Sequence, residues 1–432
     1  MEKLMQFVWQ HRLWTEQSLT TVDGRRLRII DPGKINTDSG PDFFNAKVAI
    51  DGHIWAGDIE IHVKASDWHR HGHDGDPAYD SVILHVVDRD DTIIRRSNGE
   101  SIPQMRMPCE PRFYYSYSEL VGRSDIDLPC ARIIAGTSPL HLTAWLDALA
   151  YERVYQKADR IEELLKRFCG DWQSAAYVTL ARALGFGING DPFERLALSL
   201  PLMFIGKHAD NPLAVEALLF GQSGLLDEEK ATGDYPARLR REYEFLAHKF
   251  GLRKPQGMLW KMSRMRPANF PHRRIAILGA MLANGFRLFD KILAAESLDD
   301  AVKLFNPELS PFWSSHYTFA GVPGNRQSAL SRSSVTGLTI NTVVPLQMAY
   351  AQTHGSDEMA EKAIALLQSL PAESNHIVEL FRRAGISTPD AYTSQAVIQL
   401  RKEYCDRHKC LFCRFGHSLL SSKAIRSPSG LL

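Results

Sequence analysis

The sequence predicts an α+β protein in which an N-terminal domain built on a mixed sheet precedes a large all-helical domain. Three observations carry this. Up to about residue 110, short β-type runs alternate with Asp-Gly and Asp-Pro-Gly turn signals. One of those runs, Ser81–Val87, is nearly all apolar, as a strand covered on both faces would be. From Ser138 onward the apolar spacing changes to the three-to-four period of amphipathic helices.

Taken in order, residues 2–14 read as a short helix that can bury Leu4, Phe7, Val8 and Leu13. Leu19–Val22 is a first strand, Asp23-Gly24 its turn, and Arg26–Ile30 the return strand, closed by Asp31-Pro32-Gly33. Residues 34–41 are loop. Asn45–Ile50 and His53–Lys64 are strands joined by a hairpin at Asp51-Gly52. Ser81–Val87, Thr92–Arg96 and Ile102–Met107 complete the first domain, residues 1–110. Residues 111–137, with Pro111, Gly122, Pro129 and Gly136, form a connector. The helical domain is placed at 138–404, and Thr388-Pro389 is a clear helix start, an N-cap residue before a proline. Residues 405–417 are a candidate Cys/His metal knuckle, and 418–432 a tail expected to fray.

Composition narrows the function classes. A chain of 432 residues has room for two or three domains. With 44% hydrophobic and 23% charged residues it is neither disordered nor membrane-spanning in character, and it has no apolar run long enough to cross a bilayer. The N-terminal MEKLMQFVWQHRLW carries charges within its apolar part and no small-residue cleavage site, so a cytoplasmic location is expected. The net charge of +1 means that any nucleic-acid binding must come from local patches. Six cysteines in so long a chain suggest metal rather than a disulfide scaffold.

The densest chemistry lies between Gly40 and His73. In GDIEIHVK the residues Asp58, Glu60, His62 and Lys64 alternate with Ile59, Ile61 and Val63, so the polar row shares one face of a strand. Such a row is either a solvated face or a site. A divalent metal that hydrolyses phosphodiesters needs hard oxygen ligands and a base or cation beside the attacking water. Asp42 and Glu60 can supply the carboxylates, because the Asp51-Gly52 hairpin makes them cross-strand neighbours. His62 or Lys64 could orient water or stabilise phosphate charge. A second metal reading uses Glu60, His62, His69, His71, His73 and His85 as zinc or manganese ligands. Beside Asp67, Asp74 and Asp76 those histidines could equally be hydrogen-bonded only. Trp68 and Tyr79 are expected to pack or support the loop.

This arrangement resembles the PD-(D/E)XK phosphodiesterase superfamily. Pro41-Asp42 matches its first half; in its Glu-X-Lys half, His62 stands where lysine is expected and Lys64 lies two positions further on the same face. The resemblance covers roughly the first quarter of the chain. It implies a restriction-endonuclease-like fold with the two halves on adjacent strands of a mixed sheet. It also implies magnesium or manganese at Asp42 and Glu60, with Lys64 and His62 assisting. The strings GPDFFNA, GDIEIHVKASDWHRHGH, DPAYDSVILHVV, MRPANFPHRR and YCDRHKCLFC resemble, over most of the chain, a bacterial family catalogued as domain of unknown function 2851. That resemblance implies no activity.

Two further constellations stand out. Cys405, Cys410, Cys413 and His417 follow a metal-knuckle pattern, with His408 as another fourth ligand, or Cys130 or Cys109 reaching back from the end of the sheet domain. One cysteine near the sheet domain and three near the C-terminus resemble the iron–sulfur staple of some nucleases of the same superfamily. Zinc is the expected ion and an iron–sulfur cluster the alternative, with a structural role in either case. Cys169 is expected to be a buried small hydrophobe. Between Trp260 and Arg274, the cations Lys261, Arg264, Arg266, Arg273 and Arg274 alternate with aromatics, as suits phosphates and stacked bases, although a solvated approach to the following helix fits as well.

The function these features point to is a metal-dependent, nuclease-like phosphodiesterase acting on DNA or RNA. The alternative is a noncatalytic nucleic-acid- or protein-binding scaffold with a degenerate nuclease fold, which His62 at the lysine position would favour.

Overall fold

The computed structural model describes residues 1–14, 18–36, 39–107, 113–115, 117–118, 128–283, 288–321, 323–324 and 329–421. The chain is α+β and divides into two compact units. One comprises Met1–Ser138 together with the C-terminal segment from Arg401; the other is Pro139–Leu400. The cysteine knuckle candidate therefore belongs to the sheet unit.

Helix α1, Glu2–Gln10, opens the first unit and ends before Arg12, whose φ of 51° lies in the left-handed region; the helix expected over 2–14 is thus cut short. The sheet strands are β1 (Leu19–Thr20), β2 (Arg26–Asp31), β3 (Lys34–Ile35), β4 (Phe43–Ile50), β5 (His53–Lys64), β6 (Val82–Arg89) and β7 (Gln104–Arg106). Their order is β1-β2-β4-β5-β6-β7, with β3 on β4. The pairs up to β4·β5 are antiparallel, and β5·β6 and β6·β7 are parallel, so the sheet is mixed. The β4–β5 hairpin turns at Asp51-Gly52, where both residues have positive φ, 47° and 86°, the conformation for which Asp-Gly is suited. Strand β1 stops at Thr20 because Thr21 turns its hydroxyl onto Asp23 and Arg25. Thr92–Arg96 forms no strand: only Arg95 bridges, to Ser101.

Alternation in β5 decides what lies on each face. Ile59 and Ile61 enter a core with Leu4, Val8 and Trp9 of α1, which also takes in Leu411 and Leu420 from the C-terminal segment. A smaller apolar cluster of Ala65, Trp68, Val82, Val87, Ile94 and Ile102 is packed by Tyr79. Between β5 and β6 the chain forms a short helix, α2 (Asp67–Arg70), and two single-turn 3₁₀ segments, His73–Gly75 and Pro77–Tyr79. Helix α3, Ala131–Gly136, ends the N-terminal part of this unit.

The second unit is helical. Its longest helix, α4 (Pro139–Arg167), is clamped to α6 (Ala391–Gln399) by polar bonds. Arg153 Nε donates to Gln395 Oε1 at 2.7 Å, and Lys157 Nζ donates to the same oxygen at 2.7 Å. Between them in sequence, α5 (Pro271–Ala283) is buried along nearly all its length. No described helix is long and apolar enough to cross a membrane.

Candidate metal centre

The middle of the polar row of β5 is not a solvated face. Glu60 is 5% exposed and His62 1%. Asp42 precedes β4 and meets Glu60 across the hairpin, donating its backbone N–H to Glu60 Oε2 at 3.0 Å. Its own carboxylate accepts from the Ile61 N–H at 3.0 Å and from Gln6 Nε2 of α1 at 2.8 Å. Burial raises both carboxyls above their ordinary range, and the negative charges of Asp42 and Glu2 add to the rise at Glu60. For Asp42 the two donated hydrogen bonds oppose burial without cancelling it.

Glu60 presents its other oxygen, Oε1, to imidazoles: His62 Nε2 and His73 Nε2 each lie 3.4 Å from it. His62 Nε2 is also 3.1 Å from His71 Nδ1. One ring nitrogen from each of His62, His71 and His73 lies within 4.8 Å of the others. Behind them His85 sits beside Glu60 in the parallel β5·β6 register and bonds His62 Nδ1 through its Nε2 at 2.9 Å. Burial pushes His62 and His85 down to about 3, with neighbouring imidazoles adding to the effect, so these rings are neutral near pH 7.

The turn after α2 sets the histidine positions. Asp67 Oδ2 accepts from the Lys64 N–H at 3.1 Å and Oδ1 pairs with Arg70, which anchors the short helix to the end of β5. Gly72, at φ 78°, reverses the chain, and His71 and His73 on either side of it join the cluster. Tyr79 stacks on His73 with centroids 3.8 Å apart, and Trp68, 1% exposed, meets His73 and His85 edge-on at 5.3 Å. These two aromatics support the loop, as expected. His69 is excluded from the cluster and pairs with Asp74 at 2.8 Å.

Two members of the expected row do not join. Asp58 is spent on the crossover, accepting from the Asn45 N–H at 3.0 Å and from Ser81 Oγ at 2.6 Å. Lys64 shares the face of Glu60 and His62, but it is exposed at the strand's end and its charge acts on Asp91. Sequence reasoning missed Gln6 and Glu2. They reach the site only because α1 packs along β5, and nothing local marks them.

Among the described residues the group whose ligand atoms converge within 4.8 Å is the histidine one; the four cysteines of the sheet unit influence one another electrostatically. Cys130, at the start of α3, acts electrostatically on Cys405, and Cys410 and Cys413 act on both. Burial and the neighbouring thiols push Cys130 up to about 12 and Cys410 up to about 11, and raise Cys405 as well. His417, expected as the fourth ligand, sets its ring edge-on to Phe7 and His11 at 5.3 and 4.9 Å. The alternative Cys109 lies outside the described residues. Cys169 is exposed, with a φ of 51° just after α4, and is not the buried hydrophobe expected.

In the basic stretch of the second unit Lys261, Arg264 and Arg266 are exposed. Arg273 and Arg274 are 1% and 2% exposed, which corrects their expected role as phosphate contacts. Arg273 donates to the His316 carbonyl and lies over Tyr317; Arg274 donates to Asn269 Oδ1 at 2.6 Å and lies 4.3 Å from the Phe186 ring centroid. Both hold α5 in place.

A family model described as protein of unknown function (DUF2851) matches residues 2–376. No curated protein and no solved structure matches the chain.

Proposed function

We propose that this chain, which belongs to the DUF2851 family, is a metal-dependent, nuclease-like phosphodiesterase acting on DNA or RNA. The observation that carries this is the pairing of Asp42 and Glu60: a buried carboxylate on β5 and a half-buried one immediately before β4, joined through the Asp42 N–H. Burial and mutual repulsion make their shared negative charge costly, and a divalent cation removes that cost. The arrangement is the one that the PD-(D/E)XK resemblance implies, and it supports a restriction-endonuclease-like reading of the sheet unit.

Asp42 and Glu60 would hold magnesium or manganese, which when bound supplies Lewis-acid activation of water and charge neutralisation at the phosphate. The protein's own part is positioning. Gln6 and the Ile61 N–H orient the Asp42 carboxylate, and the Asp42 N–H orients that of Glu60. His62, at the expected lysine position, offers a neutral imidazole rather than a positive charge. In the second unit, the exposed Lys261, Arg264 and Arg266 suit contact with a phosphate backbone. The four cysteines would hold zinc or an iron–sulfur cluster with a structural role, fastening the C-terminal segment whose Leu411 and Leu420 enter the sheet core.

The placement of Lys64 away from the carboxylates favours a second reading, a noncatalytic nucleic-acid- or protein-binding scaffold. Labelled single- and double-stranded DNA and RNA, incubated with magnesium or manganese beside the Glu60→Gln variant, separate the two. Cleavage lost in the variant supports the enzyme; binding without cleavage by the wild type supports the scaffold.

A further inference from the structure

A hard cation held by Asp42 and Glu60 uses carboxylate oxygens and leaves the histidine side of the centre unexplained. On that side His73 Nε2 is buried and has no hydrogen-bond partner, an arrangement that costs free energy while its lone pair or proton is unused. It lies 3.4 Å from Glu60 Oε1. His62 Nε2 lies 3.4 Å from the same oxygen and 3.1 Å from His71 Nδ1. Around a tetrahedral zinc ion, with metal–nitrogen bonds of about 2.0–2.1 Å, ligand atoms sit roughly 3.3 Å apart. The His62–His71 separation is close to that edge length, and the ring nitrogens of His62, His71 and His73 all lie within 4.8 Å of one another.

The surroundings are those of a built site. The second nitrogen of His62 is bonded to the fully buried His85 at 2.9 Å, which fixes the ring and aims Nε2 at the cluster. The Tyr79 stack fixes the ring of His73 in the same way. His71 is exposed and leaves a path for an ion to enter. We propose that one ring nitrogen each of His62, His71 and His73 form a three-imidazole site for one transition-metal dication of the zinc class, with Glu60 Oε1 beside His62 and His73. Three imidazoles suit zinc or cobalt, whereas magnesium keeps oxygen ligands and water. The site is distinct from a magnesium or manganese position at Asp42 and from the cysteines. Its existence does not depend on the phosphodiesterase reading. Glu60 would link the two positions, with Oε2 toward Asp42 and Oε1 toward the histidines.

The test uses the full chain, stripped with a chelator and titrated with zinc or cobalt in excess magnesium. Bound metal is counted by elemental analysis, and cobalt is followed by its visible spectrum. The variants are His71→Ala, which alters an exposed side chain and leaves the core intact, His73→Ala, and Cys410→Ser. The expected result is one histidine-dependent equivalent, beyond any held by the cysteines, that magnesium does not displace and whose cobalt spectrum in Cys410→Ser lacks a thiolate charge-transfer band. That equivalent should weaken at least about tenfold in each histidine variant and persist in Cys410→Ser. Unchanged affinity in both histidine variants, or cobalt bound only with the thiolate band, overturns the proposal. Metal bound as expected without cleavage of any nucleic acid leaves this site standing and removes the phosphodiesterase. Cleavage with magnesium alone and no histidine-dependent metal does the reverse.

Discussion

The backbone N–H of Asp42 donates to Glu60 Oε2 at 3.0 Å, so the acidic residue that precedes β4 and the one on β5 are tied by a bond that uses only one of their carboxylates. The carboxylate of Asp42 is engaged elsewhere, on the Ile61 N–H and on Gln6. The two residues are therefore unequal partners in folding, although they are neighbours in the centre.

That inequality separates two substitutions. In Glu60→Gln the amide oxygen can still accept from the Asp42 N–H, so folding should be retained. Metal-dependent cleavage should fall by about a hundredfold or more, as when a group that stabilises developing charge is removed. In Asp42→Asn the amide oxygen keeps the Ile61 N–H, and the amide nitrogen keeps Gln6 only when that amide turns to present its oxygen, so the charge-assisted bonds are lost. The expected cost is about 1 kcal/mol of stability. Urea unfolding of both variants beside the cleavage assay checks the contrast; equal destabilisation would contradict it.

The metal-free protein should show a pH dependence with two opposing parts. Burial raises the Asp42 and Glu60 carboxyls, so the folded state keeps protons that the unfolded chain releases. The stability this gives is fully present below the ordinary carboxylate range near about 4 and is lost as pH rises through the raised values. His62 and His85, pushed down to about 3, act in the opposite sense. Their contribution is present above about 6.5 and is lost as pH falls toward their lowered values. Glu60→Gln removes part of the first effect. In chelator it should match the wild type below pH of about 4 and exceed it by on the order of 1–3 kcal/mol at alkaline pH. A difference that does not grow with pH would rule out the buried-carboxylate account.

How much of this was legible in the sequence can be read from β5. Its limits, His53–Lys64, follow from the Asp51-Gly52 turn and the alternating pattern, and alternation also assigned Ile59 and Ile61 to the opposite face from Glu60 and His62. Periodicity names a face but not what covers it. That Trp68 and the turn around Gly72 close over Glu60 and His62, yet stop short of Lys64, depends on tertiary packing that no local pattern encodes. The same holds for Cys130, drawn to three cysteines far along the chain, and for His417, turned onto α1. Arg273 and Arg274 misled for the converse reason. A guanidinium reads as solvent-facing, but Tyr317 and Phe186 supply ring faces that cover it.

If the four cysteines hold a structural metal, its removal should loosen the sheet unit. Cys410→Ser should lose the bound metal and lower stability by on the order of several kcal/mol, because metal binding and folding are coupled. Cys169→Ser should change neither, since that thiol is exposed and belongs to the other unit. Thermal unfolding with metal analysis on both variants is the measurement, and the colour of the purified protein separates zinc from an iron–sulfur cluster. Equal behaviour of the two variants would remove the cluster's structural role.

The basic stretch of the second unit makes a prediction that divides neighbouring cations by burial. Reversing the charge of Lys261, Arg264 or Arg266, all exposed, should weaken nucleic-acid binding similarly across sequences. It should also lower the salt dependence of duplex affinity by about 0.9 in log–log slope for each phosphate that is no longer neutralised. The folded state should be unaffected, because such surface changes stay within about 0.5 kcal/mol. Arg274→Ala should act the other way. It removes a 2.6 Å bond to Asn269 Oδ1 and the packing on Phe186, so it should cost about 1–3 kcal/mol of stability and leave the salt slope unchanged. Binding measured across a salt series, paired with unfolding curves, distinguishes the two groups. A lowered slope in Arg274→Ala with intact stability would mean that this arginine reaches phosphate after all. An unchanged slope in all three exposed variants would remove the stretch from the substrate-binding surface.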